Sequence, residues 1–228
     1  MATLRAAAPW QAMRGRASPA EPLRIRRDDF RVARRRDRQR TTTIFAVDAS
    51  GSAAMGRLAE AKGAVELLLA ECYVRRDDVA LIGFRGRAAE LLLPPTRSPA
   101  RAKRELASLP GGGATPLAAG LAAAADLAAA AARDGRRAVV ALLTDGRGNV
   151  ARDGSADRAR AADEAHAAAR LLRAAGVACL VIDTSPRPGP AAARLAAEMG
   201  ATYLPLPMAD ARGIARAVKS AAEPPRTP

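Results

Sequence analysis

The chain has 228 residues, 49% of them hydrophobic and 26% charged, with 37 basic residues against 23 acidic ones and a net charge of +14. That length supports one large domain or two small ones with a real core. The charge is uneven: residues 1–40 carry 12 Arg against four acids, so the remaining body is only mildly basic and is no general nucleic-acid binder. Two cysteines 107 positions apart, Cys72 and Cys179, exclude a disulfide framework and lack metal-ligand spacing. They read as buried thiols of a reducing compartment.

No apolar h-region of a signal peptide precedes the body. The longest weakly polar run, Pro116 to Ala132, is mostly alanine and too weakly apolar to hold a helix in lipid. The expectation is a soluble, cytoplasmic protein with no membrane insertion.

Residues 1–40 show no sustained periodicity, and Pro9, Pro19 and Pro22 interrupt any helix. They are expected to form an Arg-rich arm or linker, either solvated or offered to an acidic partner. From Thr41 the pattern changes. TTTIFAVD (41–48) is a β-branched, apolar strand ending in Asp, followed by a Gly-Ser turn and a helix from Ala53 to Tyr73 with Leu58, Val65, Leu68, Leu69 and Cys72 at helical spacing. VALIGF (79–84) and AAELLLP (88–94) predict two strands joined by the short hairpin Arg85-Gly86-Arg87, the second ended by Pro94-Pro95. Ser98-Pro99 opens a helix to about Leu109. A Gly-rich loop and an Ala-rich helix (116–132) follow.

AVVALLTD (138–145) is a fourth strand ending in Asp, before a polar loop and a helix over 158–175. VACLVIDT (177–184), a helix at 190–199, the strand ATYLPL (201–206), a last helix from Asp210 to Ala221 and a tail at 222–228 complete the order. Strands without alternation, interleaved with helices, predict an α/β fold: a doubly wound, mostly parallel central sheet with one antiparallel edge strand and helices on both faces.

Ligands of such sheets gather beyond the carboxyl ends of the strands. Three segments fall there: Asp48-Ala49-Ser50-Gly51-Ser52 after the first strand, Gly113-Ala114-Thr115-Pro116 at a helix entry, and Thr144-Asp145-Gly146 after the fourth strand. Each alone is an ordinary cap or turn. Together they offer hydroxyls and only two carboxylates, an all-oxygen set that suits Mg²⁺, or Mn²⁺, rather than zinc.

Other chemistries are poorly served. A phosphatase of the D-x-D kind lacks its second acid, because position 50 is Ser. The single histidine, His166, lies in a helical run and is expected to face solvent, which leaves no Ser-His-Asp hydrolase. No G-x-S-x-G elbow or G-x-x-x-x-G-K-[ST] loop occurs, so neither a hydrolase nucleophile nor an ATP site is supported. Asp183, at the end of the fifth strand, is expected to be a cap or a surface residue. The six aromatic residues are scattered, with Phe45 and Phe84 in strands, so a stacking platform for nucleic acid is absent, and an electrostatic, sequence-independent contact through the Arg-rich arm is the form of nucleic-acid binding that stays open.

Asp48-x-Ser50-x-Ser52, followed by Thr115 and Asp145, resembles the metal-ion-dependent adhesion site of von Willebrand factor type A domains, over about residues 41–220. The resemblance implies that Ser50, Ser52 and Thr115 contact a cation through hydroxyls and that Asp48 and Asp145 hold it directly or through water. A carboxylate from a partner protein would then complete the shell.

Within that family, the segments RLAEAKGAVELLLAECYVRRDDVALIGFRG, ELLLPPTRS, LPGGGATPLAAG and LLTDGRGN resemble the C-terminal domain of the magnesium-chelatase D-subunit family. LRAAAPWQ and the DDF–RVARRR stretch resemble the segment that precedes it. This resemblance implies a non-catalytic platform that docks an AAA+ ATPase subunit and a large porphyrin-binding subunit during insertion of Mg²⁺ into protoporphyrin IX for bacteriochlorophyll and chlorophyll synthesis. The family's AAA+ module and acidic, proline-rich linker have no counterpart in this sequence, so a fragment or a separately encoded C-terminal half is expected. A cobalt-chelatase counterpart shares the ligand pattern and stays open at this point.

Overall fold

The computed structural model describes residues 2–31, 40–50, 66 and 68–206. Ser52, most of the helix expected from Ala53, and the last helix expected from Asp210 lie outside the described residues. The chain divides into two compact units, Met1–Arg38 and Gln39–Pro228.

In the first unit, helix α1 (Ala2–Ala7) runs into a single 3₁₀ turn at Ala8–Trp10, and a second such turn covers Arg27–Asp29. So short a segment cannot bury much apolar surface, and among its described residues only Ala7 is a buried apolar side chain. Polar clasps do the work instead. The Gln11 amide donates to the carbonyls of Ala7 (2.8 Å) and Arg24 (3.0 Å) and accepts from the Arg24 amide (2.9 Å). The Arg14 guanidinium engages both carboxylate oxygens of Asp29, one of which also accepts from the Arg26 amide at 2.7 Å. That fork is the strong, bidentate kind of ion pair.

In the second unit, six strands form one sheet in the order β3-β2-β1-β4-β5-β6. Strand β1 (Thr41–Asp48) lies centrally between β2 (Asp78–Arg85) and β4 (Arg137–Thr144), parallel to both. Strands β5 (Ala178–Asp183) and β6 (Thr202–Pro205) extend the parallel side, while β3 (Ala88–Thr96) pairs antiparallel with β2 at the other edge. The fold is thus the mostly parallel α/β sheet with one antiparallel edge strand that the patterning predicts.

The central strands are buried along nearly their whole length because both faces are covered. On one face Ile44, Phe84, Val140, Leu142 and Val181 pack against α3 (Leu117–Arg133), α4 (Arg158–Ala174) and α5 (Pro190–Met199). On the other, Phe45, Val47, Leu81, Leu143 and Ile182 meet α2 (Pro99–Ala107) and the helical residues 68–75, through Ala102, Leu106, Leu68, Leu69 and Cys72. Phe45 and Phe84 are core residues, and both cysteines are free and buried. Among the described residues, no helix is long and apolar enough to cross a membrane.

Two local expectations need correction. Strand β3 does not stop at Pro94-Pro95 but continues to Thr96, with register shifts against β2 between Val79 and Ile82. An edge strand tolerates missing N–H donors at such an irregularity, where a central one would not. His166 faces solvent only in part; its side chain is 21% exposed, with Nδ1 2.8 Å from Glu198 Oε2 on α5.

Candidate metal site at the strand ends

The chain leaves β1 for β2 on one side and returns to β4 on the other. The crevice between the carboxyl ends of β1 and β4 is therefore the topological switch point. Asp48 is the last residue of β1, and Asp145 follows the last residue of β4. Immediately after β1, the Asp48 Oδ1 accepts the Ser50 amide (2.9 Å), a local turn that directs the Ser50 side chain over the strand end. The Ser50 hydroxyl then contacts the Thr115 hydroxyl, which is 65 positions away in sequence. Asp48, Ser50 and Thr115 are thus brought together, with Asp145 close enough for its charge to act on Asp48. Ser52, the remaining expected ligand, lies outside the described residues.

Thr115 reaches the site because the loop before it is pinned. The Gly112 amide donates to the Ala49 carbonyl (2.9 Å) and the Gly86 amide to the Ala114 carbonyl (2.8 Å). Gly113 adopts φ +94°, and a Cβ there would meet the Gly86 nitrogen at 3.3 Å. Thr115 does not cap α3. The cap position is Pro116, without a side-chain hydrogen bond, which leaves the threonine hydroxyl for Ser50.

Two supporting residues fall outside the expected ligand set. Asn149 accepts the Thr115 amide through its side chain (2.7 Å), and its own amide donates to the Thr115 carbonyl (3.0 Å). Thr144 donates to the second oxygen of Asp48 (3.2 Å) while accepting from the Gly146 amide (3.1 Å). Neither could be singled out from sequence, because an Asn in a polar loop and a Thr ending a strand are common; only the fold brings them to the site.

Burial pushes the Asp48 carboxyl up from its ordinary value; the Ser50 hydroxyl and amide pull it back, and the neighbouring charge of Asp145 adds to the rise. A cation among these oxygens would relieve both the desolvation and the like-charge repulsion. The donor set, two carboxylates and neutral hydroxyls, fits a hard divalent ion that keeps some of its water. Asp183 pairs in register with Thr144 on the neighbouring strand. It is fully buried rather than on the surface, and it accepts from the Tyr203 hydroxyl (2.6 Å) and the Ser185 amide (2.8 Å).

A mostly parallel sheet with an Asp-x-Ser turn at its switch point and a threonine delivered from a distant loop defines a von Willebrand factor type A domain. The model of that domain matches residues 43–147 of the chain. Residues 1–36 match the AAPxQ domain. Its pattern falls on Ala7-Ala8-Pro9-Trp10-Gln11, where Gln11 is the clasp residue described above. The chain is 54% identical over 220 residues to the magnesium-chelatase 60 kDa subunit of Cereibacter sphaeroides, covering 96% of this chain and 39% of the relative. It is 50% identical over 226 residues to the subunit of the same name from Rhodobacter capsulatus, covering 98% and 40%. It therefore spans about two fifths of these relatives. Among solved structures, the vWF domain of the pilus tip protein Mfa5 from Porphyromonas gingivalis superimposes with a TM-score of 0.64 at 11% identity. That match covers 83% of this chain and 98% of the Mfa5 domain, a likeness of fold.

Proposed function

We propose that this chain is a Mg²⁺-dependent docking platform of a magnesium-chelatase assembly that inserts Mg²⁺ into protoporphyrin IX in bacteriochlorophyll synthesis. Its partners in this reading are an AAA+ ATPase subunit and a large porphyrin-binding subunit, and the metallation itself takes place on the latter. High identity to magnesium-chelatase subunits over nearly the whole of this chain supports the assembly. The single observation that carries the docking mode is the meeting of Ser50 and Thr115 beside a half-buried Asp48 at the switch point.

Asp48, Ser50, Ser52, Thr115 and Asp145 hold the resident ion, with Ser52 assigned by the motif alone. When bound, the ion supplies one outward position for a carboxylate of a partner protein. The chain's own residues set up that position. Thr144 and the Ser50 amide fix the Asp48 carboxylate, and Asn149 fixes the backbone of Thr115. Neutral hydroxyls in place of further carboxylates leave positive charge uncompensated, so an external anion is favoured. The resident ion is distinct from the ion inserted into the porphyrin, which is cargo.

The test is binding of this chain to the chelatase ATPase subunit in Mg²⁺ and in EDTA, with Asp48→Asn alongside. Binding that needs both the ion and Asp48 supports the reading. Binding indifferent to both refutes it.

A further inference from the structure

Beside the candidate metal site lies a cleft of about 630 Å³, bounded by Thr115, the loop from Asp145 to Asn149, and the first turns of α4 and α5. Its charged lining is lopsided. Arg147, Arg158 and Arg194 face it together with His166, against the single carboxylate of Asp145. Arg194 is shared with Glu198 at 3.5 Å, and Glu198 also holds His166. Arg147 and Arg158 are exposed and have no carboxylate partner among the described residues.

The backbone adds to the same sign. Helix α5 begins at Pro190 behind Gly189, with no side-chain cap, and its Pro190 and Ala191 line the cleft. Helix α4 is capped by Asp157, whose carboxylate accepts the Arg160 amide (3.1 Å), and opens with Arg158 at the cleft.

We infer that this cleft receives an acidic, extended protein segment, several carboxylates long, alongside the metal site. One carboxylate of that segment would reach the ion, and its neighbours would meet Arg147, Arg158 and Arg194. The ion contact rests on the docking mode proposed above; the arginine cleft does not. A peptide is favoured over a nucleic acid because no Phe, Tyr or Trp lines the cleft as a stacking platform, and the Asp145 carboxylate at its metal-site end repels phosphate. The cleft accordingly decides which carboxylate-bearing partners bind, since one carboxylate on a metal ion carries little sequence information.

The experiment uses the full chain and a labelled oligoglutamate peptide, with affinity measured in Mg²⁺ and in EDTA at low and high salt. The double variant Arg147→Gln, Arg158→Gln should lose about tenfold in affinity at low ionic strength in both buffers, and less at high salt. Asp48→Asn should lose only the Mg²⁺-dependent increment. The charge-matched control Arg101→Gln, Arg133→Gln, on α2 and α3, should bind as wild type. Loss in the cleft variant with indifference to Asp48 and EDTA would sink the metal docking mode and leave the cleft standing. Equal loss in the control variant, or none in the cleft variant, overturns the inference. So does displacement of the peptide by a single-stranded oligonucleotide at lower concentration.

Discussion

Gly146 shows how tightly the candidate site is tied to the fold. It follows Asp145 and adopts φ +77°, a region that costs an L-residue about 1–2 kcal/mol. An added Cβ would also lie 2.4 Å from the Ala192 nitrogen and 2.5 Å from its Cα, at the start of α5. Those are backbone atoms, so relief requires moving the helix or the loop; such overpacking costs about 1–3 kcal/mol. Gly146→Ala should therefore destabilise the chain by about 2–5 kcal/mol. Gly176 separates the two effects. Its φ is +66° with nothing within 4 Å of an added Cβ, so Gly176→Ala should cost about 1–2 kcal/mol, the backbone part alone. Urea denaturation of both variants measures the difference. Because the displaced loop carries Asp145, the Mg²⁺-induced rise in melting temperature should shrink in Gly146→Ala and persist in Gly176→Ala. Equal destabilisation of the two variants, within about 0.5 kcal/mol, would refute the argument that helix α5 braces the Asp145 loop.

Asp48→Asn removes a half-buried charge whose carboxyl is pushed up by desolvation, so in EDTA at neutral pH the variant should melt higher than wild type while losing its response to Mg²⁺. A lower melting temperature in EDTA, measured calorimetrically, would contradict this. In the first unit the Arg14 guanidinium holds the Asp29 carboxyl down at about 2. A depressed pKa contributes stability above the unfolded value of about 4 and loses it as pH falls through about 2, so this clasp should open over that window. Trp10, the only tryptophan, lies in the same unit and reports the opening by fluorescence. Asp29→Asn should abolish the acid transition, and an unaltered transition would show that the clasp does not hold the unit.

Much of this molecule was legible before any tertiary information. The β-branched, non-alternating run at 41–48, the hairpin at 85–87 and the Ser98-Pro99 helix start depend on local sterics and short-range hydrogen bonds, and they fall where patterning places them. Asp48 and Asp145 were also visible, because strand ends in such sheets are where ligands gather. Other features depended on the chain's path. Strand β3 passes through two prolines because it is an edge, and edge status is a property of the sheet. His166 meets Glu198 because α4 and α5 pack together, a contact across 32 positions that helical periodicity cannot anticipate. Asn149 and Thr144 gain their roles only when the Thr115 loop and β4 converge on β1. Sequence alone determined the strand order along the second unit and the kind of oxygen donors on offer, since both follow from residue types and near-neighbour spacing. The tertiary structure decided which donors meet, which side chains brace them, and where the arginines of the cleft collect, because those depend on distances between segments that are remote in the chain.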